Sequence, residues 1–410
     1  MLFFALKGDN FDGNQYALQA IEKGAHLAII DDPELKDKEG CFYVNNVLES
    51  LQALAHHHRS QFNIPIIGLT GTNGKTTTKE LLKSVLQTQY KVHATQGNLN
   101  NHIGVPLTLL SMPTDTQIAI IEMGANHPGE IAALCQIAAP THGCITNVGR
   151  AHLEGFGSFD GVKRTKAELY RWLEQNNGTA FINKDERFLE KLANGLPNKY
   201  FYHTSTTTNL EEAFFISPKS FPPFTGAGIL NENKKEIMIK SQLVGDYNFE
   251  NIKTAIAIGH YFKITPQKLK QGIEAYQPAN NRSQLITDPS NNTIIMDAYN
   301  ANPVSMEKAL RNLANTDFGA APKIAIIGDM LELGKDAKKE HQKICALSQE
   351  LAISQIILVG AEFCQIAALF DMKCFQNVEL LKKWFKHQNI TNSVILIKGS
   401  RGIRLEQLLE

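Results

Sequence analysis

The chain reads as an α/β protein built on mainly parallel sheets, and three observations lead there. Between residue 64 and about residue 277, the apolar runs IPIIGL, QIAIIEM, HGCITNV and TAFIN alternate with amphipathic segments such as KELLKSVLQ and GEIAALCQIA. Parallel strands need crossover connections, usually helical, and this alternation is their signature. The first of these runs passes directly into Gly71-Thr72-Asn73-Gly74-Lys75-Thr76 and then into a helical pattern, the strand–glycine loop–helix order of a phosphate site. Beyond Pro278 a second series, TIIMDA, KIAIIGD, QIILVGA and SVILIKG, alternates with PVSMEKALRNLA and EHQKICALSQELA. A chain of 410 residues is long enough for two or three domains, here expected at 1–63, 64–277 and 278–410.

The elements follow in order. In the first unit FFAL and LAII suit strands, and YALQAIEKG between them has helical periodicity. LQALAHHHRSQF suits a helix leading to Pro65. Neighbouring helical positions lie about 100° apart, so His56, His57 and His58 cannot converge on one ion, and a solvated helix end is expected. The stretch 200–245, with Pro218, Pro222, Pro223 and the β-like EIMIKSQLV, is expected to be an antiparallel addition. Helical periodicity returns at NFENIKTAIAIGHYF. The third unit carries no G-x-G-x-x-G, and no repeat or low-complexity segment interrupts the chain.

Composition narrows the function. Lys+Arg and Asp+Glu are both 41, so nothing points to broad electrostatic binding of nucleic acid or membrane. No apolar run approaches the ~18 residues needed to span a bilayer. LFFALKG after Met1 lacks a basic segment and a cleavage site, so a cytoplasmic protein without a signal peptide is expected. The six cysteines form no C-x-x-C and read as reduced core residues.

Ligands of open parallel sheets sit beyond the carboxyl ends of the strands. In the loop there, Lys75 would reach the β- and γ-phosphates and Thr76 would ligate Mg²⁺. The usual G-x-x-x-x-G-K-[ST] spacing would put a glycine where Leu69 stands, so this is a variant opening with Thr70-Gly71. The next two strands end in Glu122-Met123-Gly124-Ala125-Asn126-His127 and Gly149-Arg150-Ala151-His152. Glu122 suits Mg²⁺, which takes a few hard oxygen ligands beside water and nucleotide phosphate. His152 suits a second metal or a phosphate oxygen. In SFDGVKRTKAELYRWL, read as a helix, Lys163, Lys166 and Glu168 taken alone describe a charged exposed face. In MDAYNANP, Asp297, Tyr299, Asn300 and Asn302 stand between a strand end and a helix start, where asparagine also serves as a cap. Lys398-Gly399-Ser400-Arg401-Gly402 suits either anion contact or a solvated loop.

Taken together and in order, GLTGTNGKTTTKELL, ATQGNLNNHIGVPLTLL, IIEMGANHPGEI, TNVGRAHLEGFGS, KAELY, GDYNFEN, NNRSQ, MDAYNANPVSM, IIGDMLELG and IKGSRG resemble the Mur ligase family over almost the whole chain. The resemblance implies three domains: one for a UDP-sugar, a central P-loop-type ATPase with a parallel sheet, and a C-terminal Rossmann-like domain that closes over the site. It implies an ATP-dependent carbon–nitrogen ligase of peptidoglycan synthesis, a monomer working on small molecules. DAYNANP, GDMLELG and EMGANHPGEI point within the family to UDP-N-acetylmuramoyl-tripeptide and D-alanyl-D-alanine as substrates, with an acyl phosphate between them. The alternatives are another amino-acid-adding member or a nucleotide-binding homologue impaired in catalysis.

Residue by residue, the resemblance implies ATP contacts from Gly71, Thr72, Asn73, Gly74, Lys75, Thr76, Thr77, Asn248, Asn251, Arg282 and Asp297. Thr76 and Glu122 would hold the Mg²⁺ of ATP, His152 would serve a second metal, and Lys166 would be the lysine that the family carbamylates. Lys75, Glu122, His152 and Lys166 form the implied catalytic set. Thr95, Asn98, Asn100 and Asn101 would contact the UDP-sugar. Asn300, Asn302, Lys398 and Arg401 would contact the amine substrate, the ATP or the peptide carboxylate. Family members usually carry a further strand and helix before FFALKG, which begins here at residue 3, so the UDP-sugar domain is expected to be incomplete at its N-terminus.

Overall fold

Strands Ile66–Thr70, Ile118–Glu122, His142–Ile145 and Thr179–Asn183 are each buried along most or all of their length. Successive residues of a strand face opposite sides of the sheet, so continuous apolar runs require cover on both faces. In the computed structural model, which describes residues 1–149, 153–205, 215–279 and 281–410, both faces are covered. Ile66, Ile121, Ile145 and Ile182 enter one core, while Ile67, Ile120, Cys144 and Phe181, one position away along each strand, enter the other. These strands belong to a six-stranded parallel sheet. Its order is Asn198–Tyr202, Thr179–Asn183, His142–Ile145, Ile66–Thr70, Ile118–Glu122, Val92–Ala94. The chain starts at Ile66–Thr70 and later adds strands on either side of it, so the carboxyl end of that strand borders a topological switch point.

Four other sheets accompany it among the described residues, the smallest a two-stranded antiparallel ladder of Lys7–Gly8 and Phe11–Asp12. Leu2–Phe4, Leu27–Ile30 and Cys41–Tyr43 form a small parallel sheet against the helix Ala17–Glu22. Ile216–Phe221, Phe224–Leu230 and Glu236–Val244 form an antiparallel meander. The sequence assigned everything from residue 200 to 245 to that addition. The stretch divides instead, because Asn198–Tyr202 pairs in parallel with Thr179–Asn183 as the edge of the main sheet. The last sheet holds all four strands expected after Pro278, with Gln284–Thr287 added antiparallel at one edge and Lys373–Phe375 parallel at the other.

The helix Val47–Ser60 ends in the histidine run, with His56 and His57 exposed and His58 half-buried. His56 and His58 reach the carbonyls of Ile137 and Met112 rather than one another. One expectation for the cysteines is corrected. Cys364 and Cys374 form a disulfide, their Cα atoms 5.5 Å apart, because the turn after Gln355–Val359 lays the helix Ala361–Cys364 over the edge strand. Cys41, Cys135, Cys144 and Cys345 are free. Among the described residues no helix is long and apolar enough to cross a membrane.

Candidate active site

A cleft of about 670 Å³ opens above the carboxyl ends of the central strands and runs between them and the last sheet. Its floor is Thr72-Asn73-Gly74 and the start of the helix Lys75–Leu86, in the loop that Gly71 opens. Gly71 and Gly74 have φ of 146° and 77°. A Cβ on Gly71 would meet Thr146 Oγ1 at 2.0 Å, and one on Gly74 would meet Asn251 Oδ1 at 2.3 Å. Glycine is therefore required twice, for conformation and for close approach. Asn147 braces the loop from the neighbouring strand end. Its Oδ1 accepts from Asn73 N at 3.0 Å, and its Nδ2 donates to Asn73 O at 2.9 Å. Sequence reasoning missed Asn147, although it stands two residues beyond the strand His142–Ile145, in TNV, where a polar side chain borders the switch point.

Lys75 folds back over the loop, its Nζ donating to Gly71 O at 2.9 Å and Thr72 O at 3.1 Å. Burial lowers its pKa, the nearby charge of Glu122 opposes that shift, and the guanidinium of Arg282 adds to it. Glu122 is 1% exposed. Its Oε1 accepts from Thr76 Oγ1 at 3.0 Å and Asn100 Nδ2 at 2.8 Å, while Oε2 is buried with no hydrogen-bond partner. A buried unpaired carboxylate oxygen is costly. Hard oxygen beside a threonine hydroxyl is the donor chemistry that Mg²⁺ takes, so the residues present fit that ion. Among the described residues no group of three His, Cys, Asp or Glu could hold a metal by itself. The remaining ligands would then come from nucleotide and water, as is usual for Mg²⁺.

Lys166 and Glu168 do not form an exposed face. The expected helix is two, Phe159–Lys166 and Glu168–Gln175, and both side chains turn inward. Lys166 is 2% exposed. Its pKa is pushed down to about 7, first by burial and then by the charge of Lys75, against Glu130 and Glu168. Glu168 accepts from Gly129 N at 2.8 Å and Ala132 N at 2.9 Å, capping the helix Glu130–Ala138 below the loop that follows Glu122. Amphipathic charge patterns do not reveal such inward turns. His152 lies outside the described residues.

Most of the other named residues share the cleft. Thr72, Asn73, Thr77, Asn98, Asn100 and Asn101 line it, as do Asn248, Asn251, Arg282, Asp297, Asn300, Asn302 and Lys398. Gly71, Thr95, Lys166 and Arg401 do not form its wall. Asn251 bridges Thr78 Oγ1 and Asn248 Oδ1, so the GDYNFEN segment supports the loop from behind. Asn101 Oδ1 accepts from Gly104 N at 2.8 Å, at the start of the helix Gly104–Leu110. Lys398 is buried and engaged, donating to Asp297 Oδ2 at 2.7 Å and Asn300 O at 3.1 Å. The Arg282 guanidinium lies 3.6 Å from the Tyr299 ring centre, with that of Arg401 at 5.3 Å. Asn302 caps the helix Pro303–Asn315, and its Nδ2 also donates to Asn73 Oδ1 at 2.7 Å, across the cleft.

With this geometry in hand, comparison with known proteins is decisive. Residues 69–259 match the Mur ligase middle domain, and residues 281–401 match the Mur ligase glutamate ligase domain. A UDP-N-acetylmuramoyl-tripeptide–D-alanyl-D-alanine ligase of Bacillus subtilis is 35% identical over 419 residues, covering 100% of this chain and 89% of the relative. The chain belongs to the Mur ligase family. Its fold is that of the family: the crystal structure of MurF from Acinetobacter baumannii superposes with a TM-score of 0.86 at 30% identity, covering 99% of this chain and 89% of that one. The MurF ligase of Thermotoga maritima in complex with ADP gives 0.84 at 25% identity, covering 100% and 93%. This Mur ligase therefore aligns from end to end with enzymes that add a dipeptide to a sugar nucleotide.

Proposed function

We propose that this Mur ligase joins D-alanyl-D-alanine to UDP-N-acetylmuramoyl-tripeptide, consuming ATP and releasing ADP and phosphate. The observation that carries the reading is the cleft itself. A phosphate loop, a buried carboxylate with one free oxygen, and the cationic and amide groups of a second sheet face one another, in a chain alignable over its full length with relatives of that activity. Residues 1–63 would hold the UDP-sugar, 64–277 the ATP, and 278–410 would close over both.

The reaction brings a peptide carboxylate onto a triphosphate, anion on anion, so the site must supply positive charge where negative charge gathers. Thr76 and Glu122 would hold Mg²⁺, which would supply charge neutralisation at the phosphates. Lys75 stands over the loop with its ammonium ready to follow the transferred phosphoryl group. The carboxylate takes that group and becomes an acyl phosphate. The amine of the dipeptide attacks its carbonyl carbon, the C–N bond forms, and phosphate leaves with the C–O electron pair. Asn248 and Asn251 would flank the adenine. Asp297, held by Lys398, would take the nucleotide from the far side, with Arg282 beside it. Asn98 and Asn101 would face the UDP-sugar, and Asn300 and Arg401 the dipeptide.

Lys166 fits the carbamate role: it is a buried lysine in the KAELY motif, its pKa lowered by burial and by the charge of Lys75. Only a neutral amine attacks CO₂, and the low-dielectric surroundings favour that form. The modified side chain would offer carboxylate-like oxygens at the phosphates.

Incubating the chain with MgATP, the tripeptide nucleotide and a panel of amines, with products read by mass, tests the assignment. Pentapeptide formed from D-alanyl-D-alanine, and not from single amino acids, is expected. Preferential addition of a single amino acid would assign the chain to another step of the family.

A further inference from the structure

Two of the four residues assigned to the sugar nucleotide hold something else. Asn100 donates its Nδ2 to Glu122 Oε1 at 2.8 Å, and Thr95 Oγ1 accepts from the backbone N–H of Glu122 at 3.0 Å. Behind them stands Lys79, which is fully buried. Its ammonium donates to Thr95 O, lies 2.9 Å from Glu80 Oε1 and stands 4.0 Å from Glu122 Oε2. A fully buried lysine is rare, because desolvating the ammonium is costly. A helix residue needing only solubility would face water. Lys79, four residues after Lys75, instead points away from the cleft and under the carboxylate.

We propose that Lys79 and Asn100 are positioning residues for Glu122, so that Oε1 is saturated, the side chain cannot swing, and Oε2 alone is presented to the divalent cation of the nucleotide. The inference rests on the nucleotide site proposed above. Asn100 fixes the carboxylate directly. Lys79 acts through Thr95, tying the strand end of Val92–Ala94 to that of Ile118–Glu122. The segment ATQGNLNN is thereby a brace for the metal site as well as a wall of the substrate cleft. Groups that orient a metal ligand typically change metal affinity by roughly 10–100-fold when removed.

The test is made without any sugar nucleotide present. Mn²⁺ is titrated into the chain with saturating ADP, and free Mn²⁺ is followed by its paramagnetic resonance signal. ADP affinity in a chelator is measured alongside by calorimetry, and folding by thermal melting. Asn100→Ala is expected to weaken Mn²⁺ binding about tenfold or more, with metal-free ADP affinity and melting temperature close to the parent. Parental Mn²⁺ affinity would overturn the inference and return Asn100 to substrate contact. Lys79→Met is expected to weaken Mn²⁺ binding as well. Tighter binding would mean that Lys79 acts only as an opposing charge, and would overturn its positioning role. Should Lys79→Met not fold, Lys79→Gln keeps a donor for Thr95 O and is expected to recover most of the metal affinity; failure to recover it overturns the same role. Absence of Mn²⁺–ADP binding by the parent itself would instead refute the nucleotide site.

Discussion

At the residue scale the chemistry turns on two lysines and a carboxylate, Glu122 and Lys166 almost fully buried and Lys75 half-buried at the cleft. Glu122 places two hydrogen bonds on one oxygen and none on the other, and the charge of Lys75 adds to burial in lowering the pKa of Lys166. Lys75→Ala removes the cation over the phosphate loop. Turnover is expected to fall by about a hundred- to a thousandfold, since charge stabilisation of that kind is worth roughly 3–4 kcal/mol, and near-normal kcat in a phosphate-release assay would refute the role. Lys166→Ala removes the amine that CO₂ would modify. Activity is expected to be lost and partly restored by millimolar acetate or formate, whose carboxylate can occupy the vacated space. Lack of any restoration speaks against the carbamate. These assignments differ in how far the residues announced them. Lys75 and Thr76 stand in a motif whose mechanism follows from the loop. Lys166 does not, because its amphipathic context reads as solvent-exposed, and only the resemblance drew attention to it. Lys79 was not singled out at all, since nothing in TTTKE says which way the fifth helical position will point.

At the element scale the strands and crossovers were legible because continuous apolar runs can only be buried on two faces. Ile66 and Ile67, on opposite faces of one strand, show why the runs do not alternate with polar residues. What escaped is the pairing of Asn198–Tyr202. NKYFY sits at a sheet edge, is largely exposed, and lacks the apolar run of a central strand. The split at Ala167 also escaped, because helical periodicity continues through it. Two predictions belong to elements. Gly74→Ala forces a side chain into a left-handed conformation, at about 1–2 kcal/mol, and into Asn251 as well. A melting temperature lower by several degrees and weakened ADP binding are expected, and an unchanged melt would mean that the loop is not rigid. In the strand His142–Ile145, burial lowers the pKa of His142 to about 4 from an ordinary 6.5. Its ring stacks on Phe181 and meets Tyr261 edge-on. A folded-state pKa below the unfolded value contributes stability that is complete above about pH 6.5 and is lost as pH falls toward 4. The contribution is up to about 3 kcal/mol. Denaturant melts of His142→Gln between pH 7 and 4 are therefore expected to show a shallower acid loss than the parent. Parallel pH dependences would exclude His142 as the source.

At the scale of the whole molecule, function depends on two sheets meeting over one nucleotide. One contact across the cleft is small: Asn302, already the cap of Pro303–Asn315, donates from its amide to Asn73 of the phosphate loop. A cap was the simple expectation for that asparagine, and it holds. The second bond was invisible because it spans 229 residues of sequence. Asn302→Ser keeps a good capping residue but cannot span the cleft. The melting temperature is expected to stay within a degree or two while the Michaelis constant for ATP rises several-fold. An unchanged constant would show that closure does not use this bond. The central claim is amide ligation driven by ATP, and one measurement bears on it most directly: phosphate release from MgATP by the purified chain with UDP-N-acetylmuramoyl-tripeptide, with and without D-alanyl-D-alanine. Sustained release that requires both substrates, accompanied by the pentapeptide mass, is the predicted result. Release that proceeds unchanged without the dipeptide would make the chain a nucleotide hydrolase and contradict the account.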